Sequence, residues 1–119
     1  MTVGLRTDLA DAVGGAMQIV VSEQGAQTTI GSEGEWGLAE REAIRLALRR
    51  ALARQPDGLV LDLTRLTFID SSGVHAVIDL AKRTERLGIR LSIVPGSRAV
   101  QRVFEICELT ALLPFTTRI

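Results

Sequence analysis

Within four residues, Asp70-Ser71-Ser72-Gly73, this chain changes its periodicity. Upstream lie Leu59-Val60-Leu61-Asp62-Leu63 and Leu66-Thr67-Phe68-Ile69, an apolar, strand-like stretch. Downstream, Val74, Val77, Ile78 and Ala81 recur at helical spacing. A strand passing directly into an amphipathic helix points to an α/β fold, in which the helix lies back on the sheet. A serine at a helix start has its hydroxyl beside unpaired backbone N–H groups. Those groups carry the positive end of the helix dipole, so a phosphate is tolerated there. Ser71 and Ser72 are therefore candidate switch residues.

The rest of the chain supplies the partners for that strand and helix. Residues 1–15 show little periodicity, and 7–13 fit either a short helix or a loose arm. We divide the chain into this N-terminal arm and one domain over residues 16–119. Residues 17–22, with Ile19, Val20 and Val21, and residues 26–31, with Thr28, Thr29 and Ile30, predict a hairpin turning at Glu23-Gln24-Gly25. A polar, glycine-containing loop over 32–37 carries Trp36. A helix over 38–55 follows, with Ile44, Ala47, Leu48, Ala51 and Leu52 as its apolar stripe and Arg41, Arg45 and Arg49 on another face. Residues 59–63 read as a central strand buried on both sides. The helix after Ser72 stops at Gly88, a left-handed cap. Residues 90–94 form another strand. Ser97 caps a third helix, in which Val100, Val103, Phe104 and Cys107 share one face. Residues 112–115 read as a final edge strand, because Pro114 cannot donate to an interior ladder. The order predicts one mixed sheet with an N-terminal hairpin and about three amphipathic helices packed on it.

Composition narrows the functional classes. The 119 residues suit one domain, and 46% hydrophobic content is enough for one core. A formal net charge of zero argues against a general nucleic-acid surface. Cys107 is the single cysteine, which excludes an internal disulfide and reads as a small buried hydrophobe. No apolar run approaches membrane-spanning length, and the start lacks the pattern of a secretory signal, so a soluble cytoplasmic protein is expected. There is no phosphate-binding loop, no dinucleotide fingerprint and no nucleophile elbow. One histidine and one cysteine cannot build an ordinary zinc site, so no metal or cofactor is expected. Ser72, His75 and Asp79 imitate a catalytic triad but lie on one stretch of one helix, without a scaffold aiming base at nucleophile.

The stretch from Leu59 to Val74, in register with Ile93-Val94-Pro95-Gly96-Ser97 and the helix to Leu109, resembles the STAS domain signature. In particular it is similar to the bacterial anti-sigma factor antagonists, over roughly residues 17–115. The resemblance implies a regulator without catalysis of its own. Such an antagonist binds an anti-sigma factor and thereby releases a sigma factor for transcription. The anti-sigma factor is commonly also a serine kinase that uses ATP to phosphorylate the antagonist, and a serine phosphatase reverses the step. The acceptor position matches Ser72. The resemblance implies no membrane insertion, no direct nucleic-acid binding, and a monomer or weak dimer. The family commonly carries Gly-Glu-Leu-Asp where this chain has Gly34-Glu35-Trp36-Gly37, so glycine replaces an aspartate in the loop beside the acceptor.

Other roles follow from that placement. Ser71 is expected to cap the helix structurally, and Asp70 to be either a turn residue or part of the interface. Gly73 is expected to clear space for an approaching kinase. Glu35, Trp36 and Gly37 are expected on the partner surface, with Trp36 as an anchor. Gly37 is also expected to loosen the start of the first helix, being a weaker cap than aspartate. His75, one turn after Ser72, reads as a surface or half-buried helix residue. Arg83 and Arg86 read as solvated positions, with acidic partner residues as alternative contacts. The alternative function is a STAS scaffold that is not phosphorylated, in a stress-signalling assembly or as the accessory subunit of a lipid transporter.

Overall fold

A computed structural model describes residues 17–116 and the backbone of residues 5–8. Its strands are β1 (Leu5–Asp8), β2 (Met17–Gln24), β3 (Gln27–Trp36), β4 (Gly58–Ile69) and β5 (Arg90–Val94). Its helices are α1 (Arg41–Ala53), preceded by a 3-10 turn over Leu38–Glu40, α2 (Ser71–Leu87) and α3 (Arg98–Ile106). The strands form one sheet in the order β1-β2-β3-β4-β5. The first three run antiparallel, and β3, β4 and β5 are parallel neighbours, joined through α1 and α2. This is the expected mixed sheet with three helices. The β2–β3 hairpin closes through Gly25-Ala26, where Gly25 adopts the positive φ of 63° that so short a loop favours.

Several boundaries differ from the sequence reading. Thr7 and Asp8 belong to β1, so they form neither a helix nor a loose arm; residues 9–16 lie outside the described residues. Residues 32–36, expected as a loop, continue β3. They are mostly polar and include Gly34, yet their backbone groups pair with β2 and β4. Of the expected C-terminal strand, one parallel bridge forms, between Ile93 and Phe115. Cys107 is exposed at the end of α3 rather than buried, while Val100 and Phe104 carry that helix's core contacts. Phe104 meets Phe115 edge-on, with ring centroids 5.1 Å apart.

The centre of the fold is β4. It buries Leu59, Leu61, Leu63, Leu66 and Ile69. The spacing opens from two residues to three because β4 carries an extra residue twice relative to β3. Gly31 faces Asp62 but Glu33 faces Arg65, and Gly34 faces Leu66 but Glu35 faces Phe68. The first bulge shifts the side-chain phase so that Leu66 turns inward, and the second shifts it back, so that Ile69 is inward and Phe68 outside. Ile44, Ala47, Leu48, Ala51 and Leu52 of α1 and Val74, Val77 and Leu80 of α2 join these residues in the core. The opposite side of β4 is half-exposed at Val60 and Asp62 and exposed at Thr64, so the strand is not buried on both faces as expected. Ser22, Thr29, Glu33 and Arg65 line that polar side.

Leu61 is fully buried at the middle of the central strand. Leu61→Ala is expected to lower unfolding free energy by about 2–5 kcal/mol. Urea denaturation followed by circular dichroism checks this.

Candidate functional site

The β4–α2 junction is organised by one carboxylate. Asp70 has an extended backbone (φ −118°, ψ −170°) and is the N-cap of α2. Its Oδ1 accepts hydrogen bonds from the N–H groups of Ser72 at 2.9 Å and Gly73 at 3.3 Å. Its Oδ2 accepts from the N–H of Leu38 at 3.2 Å, at the start of the 3-10 turn that leads into α1. The Asp70 N–H itself donates to the Trp36 carbonyl at 3.2 Å. One side chain therefore caps two helical segments and joins the end of β3 to the end of β4.

That geometry corrects the expected assignment of the cap. Ser71 is exposed and already helical, whereas a capping side chain must sit one residue outside the helix to turn back onto the N–H groups of its second and third residues. Asp70 holds that position. Gly37 does not loosen the start of the first helix. Its N–H donates to the Glu40 carboxylate at 3.0 Å, and the next N–H, that of Leu38, goes to Asp70. A side chain at residue 37 would be tightly placed, since a Cβ there would lie 3.2 Å from Asp70 Oδ2 and 3.3 Å from the Phe68 ring.

Gly73 faces inward and is buried. A Cβ on it would come within 2.4 Å of the Trp36 carbonyl oxygen and 2.6 Å of Ile69 Cγ1. Its missing side chain lets α2 approach the end of β3, and does not clear room on the outer surface for an enzyme. Trp36 is likewise corrected: it is fully buried, so it supports the surface from beneath and is not an exposed anchor. Its Nε1 is buried with no hydrogen-bond partner among the described residues. Glu35, at the end of β3, is exposed.

Ser72 is half-buried and lies outside the core. It lines a groove of about 260 Å³ between α1 and α2, together with Arg41, Arg45, His75, Ala76 and Asp79. His75 is exposed. The Asp79 carboxylate accepts from Arg83 Nε at 2.8 Å, so it is engaged one turn onward rather than with His75. Beside the serines stand two exposed apolar side chains that sequence reasoning did not single out, Leu38 at 67% and Phe68 at 47% exposure. Leu38 is apolar at an exposed helix start. Phe68 is on the outward side that strand alternation from Leu59, Leu61 and Leu63 already gives to even-numbered residues.

The site is thus the end of a mixed α/β sheet where two helices begin and a serine pair is presented. The sequence matches the STAS domain family over residues 19–119, and the chain belongs to that family. The structure is similar to that of an anti-sigma factor antagonist from Mycobacterium paratuberculosis, with 21% identity and a TM-score of 0.77 over 87% of this chain and 88% of that one. It is also similar to the anti-sigma factor antagonist SpoIIAA in its unphosphorylated form, at 26% identity and a TM-score of 0.64 over 77% of this chain and 81% of that one. SLC26A9 contains a similar unit, at 19% identity and a TM-score of 0.60 over 79% of this chain but 18% of that one. None of the curated protein sequences matches this chain.

Asp70→Ala removes acceptors from both helix starts at once. It is expected to cost about 1–3 kcal/mol, measured by urea unfolding. Asp70→Asn, which retains one carbonyl acceptor, is expected to recover part of that loss.

Proposed function

We propose that this STAS domain is an anti-sigma factor antagonist switched off by phosphorylation of Ser72. The observation that carries the reading is the placement of Ser72. It stands at the second position of α2, half-exposed, next to the exposed Ser71 and beside the exposed Leu38 and Phe68. The likeness to two anti-sigma factor antagonists supports it. The domain acts by binding and performs no catalysis.

In the unphosphorylated state Leu38, Phe68, Glu35 and the start of α2 form the docking surface for an anti-sigma factor, and the sigma factor is released. The anti-sigma factor, acting as a serine kinase, supplies ATP. The Ser72 hydroxyl oxygen forms a bond to the γ-phosphorus, the bond to the β-phosphate oxygen breaks, ADP leaves and the hydroxyl proton is lost. A phosphatase returns the serine by hydrolysis. The phosphate carries close to two negative charges at neutral pH. Placed in an interface, they must be desolvated, and an unpaired buried charge costs about 2–5 kcal/mol of binding. The host fold tolerates the group because Asp70 already holds the first turn of α2 in place.

A second reading is a STAS scaffold that is not phosphorylated, such as the accessory subunit of a transporter; SLC26A9 shows that a unit of this fold also occurs as a small part of a much longer chain. Among the described residues no helix is long and apolar enough to cross a membrane. A kinase-like ATPase gene next to this one supports the switch, and transporter genes support the scaffold.

Incubation with the cognate kinase and ATP is expected to add one phosphate at Ser72, located by mass spectrometry. Equal modification of the Ser72→Ala variant overturns the assignment. Ser72→Asp is expected to weaken partner binding at least tenfold in calorimetry while leaving the circular dichroism spectrum unchanged.

A further inference from the structure

The groove beside Ser72 is lined by arginines of α1, one of which has no ion pair among the described residues. Arg41, Arg45 and Arg49 follow one another at four-residue intervals along α1. Like charges at that spacing repel. Arg41 is also the first residue of α1, where the helix dipole disfavours a cation. Arg45 meets Glu42 at 3.0 Å on the exposed surface, while Arg41 has no ion pair among the described residues. Arg41, disfavoured both by its like-charged neighbour and by its place at the start of α1 and unpaired among the described residues, points to a role outside folding.

We propose that a phosphate on Ser72 is received within the same chain by Arg41 and Arg45, so that the groove between α1 and α2 is a built-in phosphoserine clamp. The proposal rests on the phosphorylation reading above. Three features support it. Ser72 and the two arginines line the same groove. The two helices start side by side, because Leu38 and Ser72 share the Asp70 carboxylate, which places Arg41 and Ser72 at the same end. The groove volume of about 260 Å³ is several times the roughly 30 Å³ share of a liquid water molecule, so the added group has room. Guanidinium groups bind phosphate oxygens through paired N–H donors.

The other charged groups near the phosphate are His75 and Asp79 on α2, the Asp70 cap and Glu40 in the 3-10 turn. Asp70 and Glu40 are engaged by backbone N–H groups, and Asp79 by Arg83. Arg41 and Arg45 are left as the groove's cations at the Ser72 end. The clamp gives phosphorylation a second effect: besides adding charge, it ties Arg41 and Arg45 of α1 to the start of α2.

The test uses the full chain with phosphoserine installed at position 72 during translation, so no kinase is needed. Thermal melts are compared for Ser72 and phosphoserine-72 chains, each with native arginines or with Arg41→Gln and Arg45→Gln together. Phosphorylation is expected to raise the melting temperature by about 2–4 °C more with the arginines than without them. An equal change in both backgrounds overturns the clamp. If the double variant does not fold, Arg41→Gln alone takes its place. Phosphorus NMR adds a measurement on the native sequence: the phosphate should titrate at lower pH in the folded chain than in urea, and coincident titrations overturn the clamp. Failure of the kinase reaction, with the melts as expected, counts against the switch alone.

Discussion

Everything at the functional end of this domain depends on how the Asp70 carboxylate is shared. A helix start leaves backbone N–H groups without partners, and a buried or half-buried start must satisfy them. Here two helical segments begin within reach of one side chain, and its two oxygens serve one segment each. The bond from the Asp70 N–H to the Trp36 carbonyl adds a tether between β3 and β4. Ser72 is consequently presented by a backbone held from three sides. A rigid mount suits a switch that works by charge, because the phosphate need not melt or reorder anything to change what the surface will accept.

The mount is itself a product of the central strand. Without its two bulges, β4 would place odd-numbered residues inward to its end, burying Thr67 and turning Leu66 out. The first inserted residue brings Leu66 into the core in place of Arg65 and Thr67, and the second returns the phase, so that Ile69 is again inward and Phe68 on the rim. They also fix the direction in which the strand delivers Asp70. Gly73 completes the junction, since any larger residue would strike the Trp36 carbonyl and push α2 off β3. Core packing, the apolar rim and the serine position are thus consequences of one strand's register.

Family membership and geometry complement each other. The STAS match defines the type of domain, and the arrangement around Ser72 supplies a physical reason for a serine at this point. The substitution of Gly37 for the family's aspartate is accommodated locally. Glu40 and Asp70 supply the acceptors that a capping side chain at 37 would have offered. The helix start stays ordered with one carboxylate fewer beside Ser72 than the family pattern places there.

Much of this was legible from the chain alone. Apolar periodicity located α1, α2, β2, the first half of β3, β4 and β5 but not β1, Gly88 and Ser97 marked helix ends, and the tetrapeptide after Ile69 pointed to the serine pair. These are local properties, dictated by side-chain spacing and backbone conformational preference within a few residues. What the sequence could not decide depended on atoms far apart along the chain. Trp36 looked like a surface anchor because its neighbours are polar, and only the approach of α2 over β3 buries it. Gly73 looked like clearance for an enzyme, but the clash it avoids is with residue 36. Asp70 looked like a turn residue, and its second oxygen finds Leu38, thirty-two positions earlier. Sequence by itself determined which segments become helix or strand and that a hydroxyl stands at a helix start. Tertiary structure alone decided which carboxylate holds that start, which apolar side chains remain outside, and which arginines face the serine, because each is a distance between elements that only packing brings together.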